Sequence, residues 1–150
     1  MANVNLTYRD VINAWSDAAT AHLQIASFDH GTLDYLDASS QERKYPYIFM
    51  RPLSAVVAER VKTYNFEVYS LDIPKISSGN NLDVVTNTET YIYDLVAWFN
   101  FGPAVRQQYY DVNITTVVPV NEAFQDRLFG WVGTVDVTTP FNLDYCSYPQ

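Results

Sequence analysis

The sequence predicts an α+β domain with two main helices packed on a largely antiparallel β-sheet. Apolar residues recur at spacings of three and four over two long stretches, around residues 6–28 and 81–102. The segments between and after them are short, rich in aromatic and β-branched residues, and alternate in polarity. Helix, strands, helix, strands is the resulting order, which groups the strands instead of interleaving them with helices. With 150 residues, 48% of them hydrophobic, the chain can bury one core, so a single domain over 1–140 and an irregular tail over 141–150 are expected.

The first helix is expected in LTYRDVINAWSDAATAHLQIASF. Thr7 can cap it, and Asp10 three positions on gives a weak version of the capping box. Ile12, Trp15, Ala19, Leu23 and Ala26 form its core stripe, with Arg9, Asn13, Ser16, Asp17 and Gln24 elsewhere on the surface. Gly31 ends the pattern, and DHGTLDYLDASSQERK mixes Gly, Asp and Ser without a period, as a loop does.

YPYIFMRP, bracketed by prolines, suits a strand that begins and ends at those breaks. AVVAERVKTYNFEVYSLDIP is long enough for one extended strand or for two joined by a bend. In its second half Tyr64, Phe66 and Val68 point one way, and Glu67, Tyr69 and Leu71 the other, so both faces carry apolar groups. The second helix, NLDVVTNTETYIYDLVAWFNFG, has a core stripe of Val85, Ile92, Leu95, Val96 and Phe99 and a wet side of Asp83, Asn87, Thr90 and Asp94. Val84, Tyr91 and Trp98 stand beside the core stripe at heptad spacing and meet either the chain's own sheet or a neighbour. Gly102 and Pro103 stop this helix. NITTVVPVN and FGWVGTVDVTTP read as two further strands, with Ile114, Thr116, Val118 and Val120 sharing a face in the first and Trp131, Val135 and Val137 in the second.

A net charge of −8, from 17 acidic and 9 basic residues, opposes a grip on nucleic acid. Arg43, Lys44, Arg51, Arg60 and Lys62 nevertheless fall in one stretch, as solvated charge or as a subunit contact with an acidic surface such as one bearing Asp29, Asp34 and Asp37. No apolar run approaches the roughly 18 residues of a membrane span, and the N-terminus lacks the layout of a signal peptide, so a soluble, unprocessed chain is expected. Cys146, the lone cysteine, fits a reducing compartment.

Little chemistry is legible. His30 with Asp29, Asp34 and Asp37 is the one candidate for catalysis or a metal, although an Asp- and Gly-rich loop that only makes turns looks the same. His22 reads as a partly buried structural residue. No nucleophile motif or glycine-rich phosphate loop is present, and SSGNN reads as a turn leading into a helix. No catalytic residue, cofactor site or metal site is assigned. What stands out is the aromatic content, 12 Tyr, 8 Phe and 3 Trp, which suits protein interfaces and sugar-binding faces alike.

IASFDHGTLDYLDASSQERKYPYIFMRP, YNFEVYSLDIP and NLDVVTNTETYIYDLVAWF together resemble small structural proteins of tailed bacteriophages. The shared layout is an N-terminal helix running into an SF-x-x-G turn (Ser27, Phe28, Gly31), a strand opening at Tyr45-Pro46, an aromatic strand ending in Asp72, and a helix behind a Thr/Asn-rich segment. It covers residues 5 to 140 and is most similar to the tail-terminator and neck-ring (head–tail connector) group.

The resemblance implies a tail-terminator-like α+β subunit, made in the host cytoplasm and built into the virion neck or tail. It also implies a homo-oligomeric ring, hexameric or dodecameric, with no catalysis. DNA would pass through its channel without specific binding, and its partners would be portal-side, neck and tail proteins, with no membrane involved. A ring needs two unlike sticky surfaces on each copy. Tyr64, Tyr69, Leu71, Tyr91, Trp98, Arg43, Lys44 and Arg60 are the residues expected at the subunit interface. Two other readings are an aromatic-rich glycan- or receptor-binding module of a virion, and a small enzyme built around His30.

Overall fold

The computed structural model describes residues 6–32, 44–73, 81–103, 109–123 and 128–141. Arg43, Asp34, Asp37, residues 77–80 of the SSGNN turn, Cys146 and the tail beyond Phe141 lie outside them. The elements are α1 (Tyr8–Ala21), β1 (Ser27–His30), β2 (Tyr47–Ala58), β3 (Val61–Asp72), α2 (Asn81–Asn100), β4 (Asp111–Ala123) and β5 (Leu128–Pro140). They form an α+β fold in which one five-stranded sheet of order β1-β2-β3-β5-β4 carries both helices on one face. Every strand pair is antiparallel except β1 with β2, which run parallel.

Thr7 caps α1 as expected. Its hydroxyl accepts from the Asp10 N–H at 3.2 Å, while Asp10 Oδ2 accepts from the Thr7 N–H at 2.8 Å. The helix ends earlier than the apolar spacing predicts. His22 has extended backbone angles, and its ring Nδ1 accepts the Gln24 N–H at 3.1 Å. That bond draws the Gln24 N–H away from the helical ladder, so the chain leaves the helix there. Leu23, expected on the core stripe, is 101% exposed as a result. Residues 27–30, expected as the end of the helix and a turn, form β1 instead, held to β2 from Ser27 opposite Tyr47 to His30 opposite Met50.

Strand β2 opens directly after Pro46, but Pro52 does not end it. Leu53 is an extra residue between the pairs Pro52–Phe66 and Ser54–Asn65, a bulge that accommodates the missing proline N–H. Beyond it the strand continues to Ala58, turns through Glu59 and Arg60 (φ 68°), and returns as β3. The stretch 55–74 therefore contributes to two strands of one hairpin.

The main core lies between helices and sheet. Val11, Trp15 and Ala18 of α1 and Tyr91, Leu95 and Phe99 of α2 meet Ile48, Met50, Phe66, Val68, Val112, Val135 and Val137 of the sheet. Trp15 and Phe99 lie 4.9 Å apart between ring centroids. Asn100 pins the end of α2 to β4: its Nδ2 donates to the Val112 carbonyl at 2.7 Å and its Oδ1 accepts the Val112 N–H at 3.3 Å. Trp131 Nε1 on β5 donates to the Val85 carbonyl of α2 at 2.8 Å. A second cluster occupies the other face, where Tyr47, Phe49, Tyr69 and Leu71 are buried together with Tyr45, Val120 and Val132 at their margin.

The alternation expected in β3 holds: Phe66 and Val68 belong to the first core, Tyr69 and Leu71 to the second. In β4 it breaks. Ile114 pairs with Val135 but Thr116 pairs with Thr134, so Thr115 is an extra residue and Ile114 turns to the helix side, away from the face of Thr116, Val118 and Val120.

Candidate subunit interface

The residues expected at an interface occupy two kinds of place. Leu71 is fully buried, and Tyr69 and Tyr91 are 8% and 5% exposed, enclosed by the chain's own packing. Val84 is buried as well, so the heptad stripe of α2 is covered mainly by its own chain. Tyr64 and Trp98 are half-buried at the margin of the main core. Lys44 and Arg60 are exposed. Burial raises the Tyr91 phenol above its ordinary range, with Asp72 and Asp94 adding to the effect.

An exposed apolar surface does exist, in a place that residue pattern did not single out. β1 covers the edge of β2 only from Tyr47 to Met50. Beyond that point the β2–β3 hairpin is an arm, and every residue from Pro52 to Arg60 is exposed. Leu53, Val56 and Val57 are 46%, 55% and 54% exposed, and between Leu53 and Ala58 there is no charged residue, glycine or proline. The signal available in sequence is AVVA itself: a four-residue apolar run, in a segment otherwise alternating in polarity, has apolar groups on both faces of a strand.

Two features brace the arm. Lys62 Nζ donates to the Leu6 carbonyl at 3.1 Å and sits 4.8 Å and 4.6 Å from the ring centroids of Tyr64 and Phe141. At the base, Arg51 Nη1 donates to Glu67 Oε1 at 2.7 Å, and the Tyr69 hydroxyl donates to the same oxygen at 3.3 Å. The hydrogen bond to Glu67 raises the Arg51 guanidinium above its usual value. Burial, reinforced by the Glu67 carboxylate, raises the Tyr69 phenol.

Along the arm half of the sheet, the helix-free face is polar. Thr63, Asn65 and Glu67 of β3 stand opposite Thr138, Asp136 and Thr134 of β5, and Asn113 and Asp111 of β4 continue the surface. Its charged side chains, Glu67, Asp136 and Asp111 against Arg51, leave it net acidic.

Of the candidate for chemistry, only His30 and Asp29 lie among the described residues, and these two do not converge. His30 and Asp29 are neighbours on β1, opposite Met50 and Phe49, so their side chains leave the sheet on opposite faces. His30 is exposed and packs edge-on against Tyr8 at 6.2 Å. Among the described residues no group of three His, Cys, Asp or Glu side chains is placed to hold a metal ion, and no helix is long and apolar enough to cross a membrane. Compared with known proteins, the chain matches no family model and no curated relative.

Proposed function

We propose that this chain is a virion structural protein that closes into a ring around the DNA channel at a phage neck, as a tail terminator or head–tail connector, and carries no catalysis. The observation that carries the reading is the arm: a braced hairpin, apolar on both faces and exposed over its whole outer half, projecting from a sheet whose main core is buried under the two helices. A strand end of this composition is a liability in a free monomer and is stable when covered by another chain. The layout resembling neck-ring proteins supplies the setting, and the acidic, Thr- and Asn-rich face of the sheet supports a channel role. Directed inward, that face repels phosphate, so DNA slides past without adhering.

The test is light scattering on a sizing column across a concentration series, with negative-stain imaging of the heaviest species. Closed rings with a central hole are expected, and substituting Val56 and Val57 together by Glu returns them to monomer. A wild-type chain that remains monomeric at high concentration and is absent from assembled particles overturns the reading.

A further inference from the structure

The sheet has two open edges of different character, and their geometry specifies how they join. On the β4 side, Asn100 already occupies both main-chain groups of Val112, and Pro119 lacks an N–H to offer. Between these two guards lies the stretch from Asn113 to Val118, in which Asn113, Thr115, Thr116 and Val118 are exposed. On the β2 side, nothing among the described residues guards the edge from Leu53 to Ala58. Each edge is about six residues long.

We infer that the open edge of β2 in one copy pairs with the open edge of β4 in the next, so that the sheet runs on from subunit to subunit. This deepens the ring reading above and rests on it. Strand direction supports the join. β2 is antiparallel to β3, β3 to β5 and β5 to β4, so β2 and β4 run in opposite senses within one subunit. Repeating the subunit by a rotation about an axis along the strands preserves those directions, and the new ladder is therefore antiparallel, like those within the chain. The same rotation keeps all helices on one side and all polar faces on the other. Unlike edges meeting in this way propagate from copy to copy instead of stopping at a dimer, and a rotation that closes makes the series a ring.

Side-chain faces fix the register. Opposite residues in a ladder share a face. Val57 therefore meets Ile114 and Ala55 meets Val117 on the helix side, while Ala58 meets Asn113, Val56 meets Thr116 and Ser54 meets Val118 on the polar side. The extra residue Thr115 of β4 is passed over, as it is in the ladder with β5. This register carries Arg60 at the tip of the arm to Asp111 at the start of β4, both exposed and neither in an ion pair among the described residues. At the other end, with the bulged Leu53 passed over as it is in the ladder with β3, it brings Pro52 and Pro119 together, where neither strand can continue the ladder.

Paired cysteines test the seam in a Cys146→Ser background under mild oxidation. Val56→Cys with Thr116→Cys, and independently Ala58→Cys with Asn113→Cys, place thiols on facing, exposed positions, so neither pair disturbs the core. A ladder of covalent multimers on a non-reducing gel from each double variant, and none from the single variants, is the expected result. Rings that form without cross-linking in either double variant overturn the seam and leave the ring reading standing. Covalent dimers from Val56→Cys alone show arm pairing with arm, which also overturns it. Monomer throughout removes both.

Discussion

His22 Nε2 lies 2.8 Å from Asp94 Oδ2, joining the end of α1 to the middle of α2. The tautomer follows from the other ring nitrogen: Nδ1 accepts the Gln24 N–H, so the neutral ring carries its proton on Nε2 and donates it to Asp94. The ring also packs edge-on against Tyr91 at 5.1 Å. One side chain thus ends a helix, bonds a second and covers a core tyrosine.

His22→Ala removes all three contacts and is expected to cost about 2 kcal/mol. Asp94 is half-exposed, so Asp94→Ala removes only the screened bond and costs less than about 1 kcal/mol. Urea melts of the two variants decide between packing and charge. Equal losses would show that the bond to Asp94, not the ring's packing and its hold on Gln24, carries the effect.

The capping box makes the start of α1 sensitive to acid. Hydrogen bonds from the backbone and side chain of Thr7 hold the Asp10 carboxyl below its ordinary value. A depressed folded-state value means that the contribution is present above the unfolded value and is lost as pH falls through the folded one. Thr7→Ala is expected to cost about 1 kcal/mol at neutral pH. The stability gap between wild type and Asp10→Asn should shrink as pH is lowered below about 4, and a gap that persists there contradicts the assignment.

Two glycines of β5 differ in what a methyl group would meet. At Gly130 a Cβ would lie 1.9 Å from the Ser70 carbonyl oxygen, which is backbone of the paired strand and cannot move aside alone. At Gly133 it would lie 3.2 Å from Ile92 Cγ2, a side chain able to shift by a few tenths of an ångström. Gly130→Ala should therefore cost at least about 3 kcal/mol and lower expression, while Gly133→Ala costs about 1 kcal/mol or less. Thermal melts of the pair check the order.

Features that depend on neighbours in sequence were legible, and those set by distant strands were not. Thr7 and Asp10 show the start of α1 because a cap is a local bond, and both faces of β3 follow from alternation alone. The end of α1 depends on the His22 ring finding Gln24 on one side and Asp94 on the other, and the second contact is seventy-two positions away. β1 is only four residues long and owes its conformation to the parallel edge of β2. The turn of Ile114 toward the helices depends on how β5 takes up Thr115. For the interface, pattern showed that β3 has two apolar faces without showing what covers them: Tyr69 and Leu71 meet Tyr47 and Phe49 of the same chain. The exposed run lies on the facing strand, in AVVA, where the hairpin outruns its β1 cover.

The buried and half-buried tyrosines predict a loss of stability in alkali. Tyr8, Tyr69, Tyr91 and Tyr110 all have phenol values raised above 10.0, with burial the largest cause in each. Burial disfavours the phenolate, so the unfolded chain releases these protons first as pH rises. The sign is then set: their contribution is fully present below the unfolded value near 10 and is lost as pH climbs through the raised folded values. Urea stability should be flat from neutral pH to about 9 and fall steeply beyond about 10. Replacing Tyr69 and Tyr91 together by Phe removes two of the titrating groups and should flatten that descent, whatever it does to stability at neutral pH. An alkaline limb of unchanged slope would assign the loss to other groups and sink this account.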